Sequence, residues 1–420
     1  MAKVNVGLIG LGNIGSGVVE IIQSNADLIE KRTGVRISIV AACSRSRDRA
    51  AALGLDPKIH TTDYKEVIAN PKVDAIVELV GGYEPARTII LDAIKAKKHV
   101  ITANKAVLAR HGYEIFEAAS KNGVNVLFEA AVGGCIPIIR RIEESYSSDN
   151  IESIYGILNG TTNYILTRMS EGMSYAEALK KAQQLGFAEA DPSFDVEGKD
   201  ASQKLSILAS LAFDARIEAE AYTEGITRIT EHDLGYAAEL GYAIKLLAIA
   251  SKDRDGIVLH THPTLVPKSS VLANVSNEFN AILLKGKNTG ELFLSGKGAG
   301  KLPTATVVVT DIIEMGSRTR ITQRSFEKVA IKPFAKSKSR FFLRLDLANK
   351  PGVLAKITKI LGENNISIAA FNQKEDTGDF VSVVIITHPA LEGEMERALE
   401  ECRKLDVVKP EPVLIRIADL

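Results

Sequence analysis

Tryptophan is absent from this chain, and only three cysteines occur in 420 residues. Cys43, Cys135 and Cys402 lie far apart, so no pair has the spacing of a zinc-ligand motif. So few cysteines exclude a small disulfide-stapled scaffold and fit buried thiols in a reducing compartment. No apolar run of about 18 or more residues occurs, so no membrane-spanning helix is expected. The chain enters a strand pattern at Val4 without a charged and apolar leader, so a cytoplasmic location is expected rather than secretion. An excess of one charge is missing too, because 52 Lys and Arg balance 52 Asp and Glu. Neutrality argues against nucleic acid or an anionic membrane as the main partner. What remains, 45% hydrophobic and 25% charged residues, is the composition of a folded globular protein. The length calls for two or three domains.

The first 130 residues alternate strand and helix patterns. Val4–Gly10 is a continuous apolar run, as expected of a strand buried on both faces. Helical periodicity follows over 14–29. Further strand patterns lie at 36–43, 73–79, 99–103 and 124–130, with helical patterns at 85–96 and 107–121. This rhythm predicts an α/β fold with a doubly wound parallel sheet of the Rossmann type over residues 1–150. From Ile151 the pattern changes to α+β. Helices are expected at 175–185, 197–213 and 231–251, and antiparallel strands at 257–265 and 279–294. Residues 321–339 are rich in Lys, Arg and Ser and predict a linker. Then a βαββαβ pattern occupies 340–420. Its strands are expected at 340–347, 365–373, 380–388 and 413–417, its helices at 351–361 and 392–405, and a hairpin turn at Thr377-Gly-Asp. This module is expected to fold independently.

Several segments carry chemistry. Gly10-Leu-Gly12-Asn-Ile-Gly15 follows a buried strand and opens a helix, the context of a dinucleotide-binding turn. Gly10 permits the tight turn, Gly12 lets the backbone approach a pyrophosphate, and Gly15 allows close helix–strand packing. The helix N-terminus supplies N–H donors to the phosphates. The next strand end has no acid to bind a ribose 2′-hydroxyl. It reads Cys43-Ser-Arg45-Ser-Arg47, and a guanidinium matches a 2′-phosphate, which favours NADP while leaving NAD possible. The alternative is that these arginines are simply solvated.

Thr102-Ala-Asn-Lys105 lies past the carboxyl end of a strand, where open α/β sheets bind ligands, although a loop lysine is often only solvated. Glu129 precedes a Gly-rich turn, Val132-Gly-Gly134-Cys-Ile136, whose carbonyls suit a hard monovalent cation; a plain tight turn is equally compatible. Gly160-Thr161-Thr162-Asn163 offers donors for a substrate carboxylate or amine, or an ordinary helix N-cap. Asp200 and Lys204 are four apart on an expected helix and share its apolar face. An inward carboxylate and ammonium call for a partner or a pocket, unless they form an i,i+4 pair worth only ~0.3–0.5 kcal/mol.

The pattern Ala182-x3-Gly186-Phe187-Ala188-x2-Asp191-Pro192-x2-Asp195-Val196-x-Gly198-x-Asp200-x3-Lys204 resembles the signature of homoserine dehydrogenases, with no departure. The resemblance covers residues 1–320. The segment Leu347–Ile368, with its Asn349-Lys-Pro351-Gly352 turn, resembles the ACT domain, a small-molecule sensor. The resemblance implies reversible, NADP(H)-dependent reduction of L-aspartate 4-semialdehyde to L-homoserine, on the route to threonine and methionine. It implies Lys204 and Lys105 as catalytic residues, and Glu189, Asp195, Asp200, Gly160 and Thr161 as the substrate set. Cofactor contacts are implied at Gly10, Gly12, Asn13, Ile14, Gly15, Arg45, Thr102, Lys105, Gly186 and Gly300. A structural cation such as Na+ or K+ is implied at Glu129 and the carbonyls of Val132, Gly134 and Ile136. Threonine is the implied effector, at Asn349, Gly352, Val353 and Leu354. The family also implies that 151–300 binds substrate and forms the dimer, that 300–320 returns to the nucleotide domain, and that the protein is a homodimer or homotetramer. Two rivals are another NADP-dependent amino-acid dehydrogenase on the same scaffold and a non-enzymatic amino-acid sensor.

Overall fold

The computed structural model describes residues 2–217, 220–317, 324, 326–373, 378–409 and 411–420. Within them the chain forms two compact units. The first comprises Met1–Ile151, Gln203–Glu218 and Gly286–Val329; the second comprises Glu152–Ser202, Ala219–Lys285 and Ala330–Leu420.

The first unit is built on a parallel sheet. Its strand order is His60–Thr61, Val35–Cys43, Ala2–Ile9, Ala75–Glu78, His99–Thr102 and Val126–Leu127. Numbered along the chain, that order is 3-2-1-4-5-6, the doubly wound arrangement expected of a Rossmann-type domain. The apolar runs become strands because both faces are covered. All four residues of Ala75–Glu78 are buried, as are Val6, Leu8, Val18, Val77, Val308 and Ile312 in one core. The helix Lys301–Ser317 packs on the helix Asn13–Ser24, and a Cβ at Gly17 would lie 2.9 Å from the Ala305 Cβ. Register aligns the carboxyl ends of five strands in one row: Thr61, Cys43, Ile9, Glu78 and Thr102. Strand order reverses between Ile9 and Glu78, which makes that row's centre the topological switch point where such sheets bind ligands.

The second unit is built on a mixed sheet. Its strands run in the order Phe279–Gly286, Ile151–Ile157, Tyr242–Asp253, Gly256–Pro267, Val413–Ile417, Lys338–Ala348, Phe380–Thr387 and Ile368–Gln373. The C-terminal βαββαβ pattern is present, with helices Val353–Glu363 and Glu392–Arg403 packed over a core of Phe341, Leu343, Ile357, Val383 and Met395. Its strand Val413–Ile417 also pairs in parallel with Gly256–Pro267, through Thr264↔Arg416 and Leu265↔Ile417. The expectation of an independent module therefore meets a shared sheet. Long-range strand pairing leaves no local trace in a sequence.

Two further expectations change. The helix expected at 231–251 is a helix only over Glu231–Glu239; Tyr242–Asp253 is a strand. Gly241, at φ +84, ends the helix, and the strand is buried on both faces, so its apolar run mimics a helical one. The helix expected at 197–213 is present as Lys199–Ala212, set off by Gly198 at φ +82 from a short helical turn, Ser193–Val196. The strand expected at 124–130 shortens to Val126–Leu127, and Glu129–Ala131 forms a 3-10 turn. Of the expected linker, residues 321–323 and 325 lie outside the described residues, as does Thr377 of the hairpin turn. The linker's described part is anchored. Arg324 reaches Glu143 and the Val126 carbonyl and lies over the rings of Phe116 and Phe128, and Ile257 donates to the Ala330 carbonyl.

Candidate functional site

In the first unit the glycine turn sits at the switch point. Gly10 has φ +103, and a Cβ there would lie 2.6 Å from the Leu79 carbonyl oxygen. A Cβ at Gly12 would meet nothing within 4 Å, so this glycine leaves the turn's outer side open. Gly12 is the N-cap of the helix Asn13–Ser24, and no side chain caps it. A helix N-terminus without a side-chain cap keeps its N–H donors and positive potential for an anion. Asn13 is exposed, Ile14 half-buried and Gly15 buried. Arg45 is exposed beyond the end of Val35–Cys43, and the neighbouring Ser44 hydroxyl lies 3.0 Å from the His60 Nε2. Gly300, at φ +127, immediately precedes Lys301–Ser317.

Thr102 is fully buried, and Lys105 is half-buried as the first residue of the helix Lys105–Asn122. Asn104 caps that helix by accepting from the Val107 N–H. Lys204 is half-buried on the helix Lys199–Ala212, and the adjacent Gln203 donates to the Tyr83 hydroxyl at 3.4 Å.

Glu129 is 5% exposed, and its carboxylate accepts the N–H groups of Ile139 at 2.7 Å and Arg140 at 2.9 Å. It thereby caps the helix Ile138–Ser145. Burial pushes its carboxyl up to about 7, and burial beside Glu129 also raises Asp311 well above the usual carboxylate range. Asp311 accepts the Glu129 N–H, and Arg140 pairs with both Asp311 and Glu314. Gly133 and Gly134 both have positive φ, which shapes the turn carrying the carbonyls of Val132, Gly134 and Ile136. The Ile136 carbonyl already accepts from Ile138. Among the described residues no group of three or more His, Cys, Asp or Glu could hold a metal ion, so a cation here would rest mainly on carbonyl oxygens. Cys135 is exposed beside this turn, whereas Cys43 and Cys402 are buried.

In the second unit one side chain gathers the acidic residues. Asn159 caps the helix Gly160–Ser170, its Oδ1 accepting from the Thr162 N–H at 2.8 Å. Its Nδ2 donates to Asp195 at 2.7 Å and to Asp200 at 2.8 Å. Asp200 is 4% exposed and Asp195 half-buried. Thr161 donates to the Phe187 carbonyl, fixing the loop that follows helix Tyr175–Gln184. A Cβ at Gly160 would lie 2.6 Å from the Glu278 carbonyl oxygen, so only glycine fits there. Glu189 is not drawn into this group: it is exposed, and its main-chain carbonyl accepts from Gln183. Gly186 is an exposed turn residue at φ +76.

Sequence reasoning missed Asn159. It had assigned the cap to residues 160–163, one position late, although Asn is a preferred cap before such a run. It also missed Glu78, whose signal is an acid ending an otherwise apolar strand.

At the C-terminal turn, Asn349 donates from its main chain to the Asp379 carbonyl and from its side chain to the Gly378 carbonyl. Gly352 is in the left-handed region at φ +83 and begins the helix. Val353 is buried in the module's core and Leu354 packs against it, so a ligand at this turn meets their main chain.

The comparisons agree with this geometry. A family model described as homoserine dehydrogenase matches residues 137–313. The model for the homoserine dehydrogenase NAD-binding domain matches 10–129, and the ACT domain model matches 341–405. The chain is 43% identical to a homoserine dehydrogenase of Synechocystis over 434 aligned positions, covering 99% of both proteins. It resembles the crystal structure of a homoserine dehydrogenase from Thiobacillus denitrificans with a TM-score of 0.93 and 42% identity, covering 99% of this chain and 98% of that one. A hyperthermophilic archaeal homoserine dehydrogenase solved in complex with NADPH matches with a TM-score of 0.65 and 27% identity, covering 74% of this chain and 97% of that one. Among the described residues no helix is long and apolar enough to cross a membrane. A glycine turn at a Rossmann switch point, a long acidic signature that folds around Asn159, and full-length identity above 40% all agree: the chain belongs to the homoserine dehydrogenases, oxidoreductases with a nicotinamide-nucleotide-binding domain, and carries a C-terminal ACT domain.

Proposed function

We propose that this chain interconverts L-aspartate 4-semialdehyde and L-homoserine with NADP(H) in preference to NAD(H), in the synthesis of threonine and methionine, and that threonine regulates it. The observation that carries the reading is Asn159 gathering Asp195 and Asp200 in the helical signature that continues to Lys204. Two carboxylates held together by one amide form an anionic seat suited to the ammonium of an amino acid. Thr161 and the backbone at Gly160 complete that seat, and exposed Glu189 joins it when substrate is bound.

A bound nicotinamide nucleotide carries the hydride to and from the carbon bearing the hydroxyl. Lys204 supplies the proton: as the aldehyde carbon gains hydride, its oxygen becomes an alkoxide, and the Lys204 ammonium protonates it. In the reverse direction neutral Lys204 takes the hydroxyl proton as hydride leaves. Lys105 is the second catalytic lysine. The turn from Gly10 to Gly15 binds the pyrophosphate with Asn13 and Ile14 N–H groups, and Thr102, Gly186 and Gly300 line the remaining cofactor contacts. Exposed Arg45 suits a 2′-phosphate. Glu129 and the carbonyls of Val132, Gly134 and Ile136 hold a structural Na+ or K+. Threonine binds at Asn349 and Gly352, where the ACT turn presents main-chain donors and acceptors.

The test is NADPH formation, followed by absorbance, when L-homoserine and NADP are added. Lys204→Ala is expected to lower kcat by roughly 10²–10⁴-fold, the scale of a lost general acid–base, with NADP affinity little changed. Near-normal turnover in this variant would remove Lys204 from the mechanism.

A further inference from the structure

Glu78 is fully buried at the switch point, yet the chemistry above makes no use of it. It ends the strand Ala75–Glu78, in register with Ile9 on one side and Thr102 on the other. One carboxylate oxygen accepts the Val80 N–H at 2.7 Å and the Gly81 N–H at 3.3 Å. The other accepts the Thr102 hydroxyl at 2.7 Å. Thr102 passes the restraint on, because its oxygen accepts the Asn104 N–H at 3.0 Å. Asn104 returns it by donating to the Gly82 carbonyl at 2.8 Å, and it also caps the helix that begins at Lys105. The circuit therefore closes on two loops, 79–82 and 102–105, and Gly10 packs against the first of them at Leu79.

The first loop has little stiffness of its own. Gly81 and Gly82 both have positive φ, nothing lies within 4 Å of a Cβ at either, and Val80 is 44% exposed. The Glu78 carboxylate is what orders it. A carboxylate in a dry site is held by charge-assisted hydrogen bonds, each stronger than a neutral one. The three donors leave the direction of the bonds unambiguous. Thr102 must donate to Glu78, because a carboxylate can only accept.

The geometry points to Glu78 as the positioning residue that fixes loop 79–82 and the start of the Lys105 helix for nicotinamide-nucleotide binding and turnover. This rests on the reading of the switch-point crevice as the cofactor site. An amide cannot replace the carboxylate. If its oxygen accepts from Val80 and Gly81, its NH2 faces the Thr102 hydroxyl, whose proton then has no acceptor.

The experiment uses the full chain and three variants: Glu78→Gln, Thr102→Val and the double substitution. Hydrogen–deuterium exchange is read over the peptide spanning 79–85, NADPH affinity by fluorescence titration, and kcat and KM with L-homoserine. Glu78→Gln is expected to speed exchange in that peptide, and to weaken NADPH and lower kcat by about tenfold each, the effect of one charged hydrogen bond. KM for L-homoserine is expected to stay within about twofold, because its seat is untouched. Thr102→Val leaves the Glu78 bonds to Val80 and Gly81 and removes both bonds of the Thr102 hydroxyl, and the double variant is expected to be no worse than the worse single one. Should Glu78→Gln fail to fold, exchange over 79–85 in Thr102→Val without cofactor decides, because loss of a direct cofactor contact at Thr102 leaves that exchange unchanged. Unchanged exchange and unchanged NADPH affinity in the folded variants would overturn the proposal, as would a lower melting temperature with kcat and affinity intact. A full chain that binds neither NADPH nor NADH overturns the cofactor reading itself, and a chain that binds normally in every variant overturns only the role of Glu78.

Discussion

Two regions keep buried charge in opposite ways. At the switch point, Glu78 is met by two N–H groups and a hydroxyl, all neutral. Where the C-terminal module joins the rest of its unit, charge meets charge. Arg416 pairs with Glu392 and Glu224, and Arg344 pairs with fully buried Asp233. Asn159 stands apart as a neutral amide holding two carboxylates together. The difference separates a ligand site from a structural joint. A carboxylate satisfied by dipoles can hold loops in place without neutralising the crevice they line. An arginine satisfied by carboxylates spends its charge internally and locks elements together. Both arginines sit where the C-terminal module meets the rest of its unit, one on Val413–Ile417 and one on Lys338–Ala348.

The largest effect is expected at the joint. Arg416→Met leaves Glu392, 5% exposed, without its partner in a dry site, and breaking such a pair costs about 3–5 kcal/mol. Urea unfolding should show that loss. A loss below about 1 kcal/mol, the range of exposed pairs, would put Arg416 among the surface ions and erase the contrast.

Acid should attack the same joint next. His260 and His262 stack with ring centroids 4.8 Å apart and face Arg416, Tyr222 and Phe334. Burial, with Arg416 nearby, pushes His260 down to about 3, and burial beside His260 holds His262 well below its ordinary value. Between the folded and unfolded values the unfolded chain binds more protons, so their contribution is complete above about pH 6.5 and is lost as pH falls towards 3. The slope is about 1.4 kcal/mol per pH unit for each histidine. Replacing both by Gln or Asn should flatten the acid limb of stability against pH. An unchanged limb would mean that other groups drive acid unfolding.

The ligand seat should respond through kinetics rather than stability. Asn159→Ala leaves Asp195 and Asp200 repelling each other without the amide. KM for L-homoserine should rise by roughly 10–100-fold, as expected for one or two lost charged hydrogen bonds, with NADP affinity preserved. Equal losses in both would show a collapsed fold rather than a loosened seat.

The smallest effect is expected at exposed Arg45. Arg45→Ala should weaken NADP by up to about tenfold and leave NAD unchanged, a discount that solvent screening imposes on an exposed charge. Equal effects on both cofactors would detach Arg45 from the 2′-phosphate.

The contrast also explains what the sequence could reveal. The Rossmann sheet was legible because each element declares itself locally, with apolar runs for strands, Gly10-x-Gly12 for the turn and helical periodicity between. The βαββαβ module was legible for the same reason, and its strand Val413–Ile417 has the expected bounds. Tyr242–Asp253 was misread because a strand buried on both faces lacks the alternation that marks a half-exposed one. Of the candidate site, the signature supplied residue types but not their grouping. Nothing local says that Asn159 reaches Asp195 and Asp200, 36 and 41 positions away. Nor can spacing show that Glu189 stays exposed while Asp200 is buried, because that depends on how the Gly186 and Gly198 turns aim the chain.

The strand Val413–Ile417 lies between Gly256–Pro267 and Lys338–Ala348, both made earlier on the ribosome. Until residue 417 has emerged, those two strands cannot be joined through it, and each leaves open the edge that it later occupies. Open edges invite pairing with other chains. The second unit therefore completes its sheet late in translation, whereas the strands of the parallel sheet all lie within the first 127 residues. Chaperone demand and misassembly during synthesis should concentrate on the unit that carries the ACT module, and a stalled or shortened chain exposes its vulnerable strands even where its nucleotide-binding sheet has already formed.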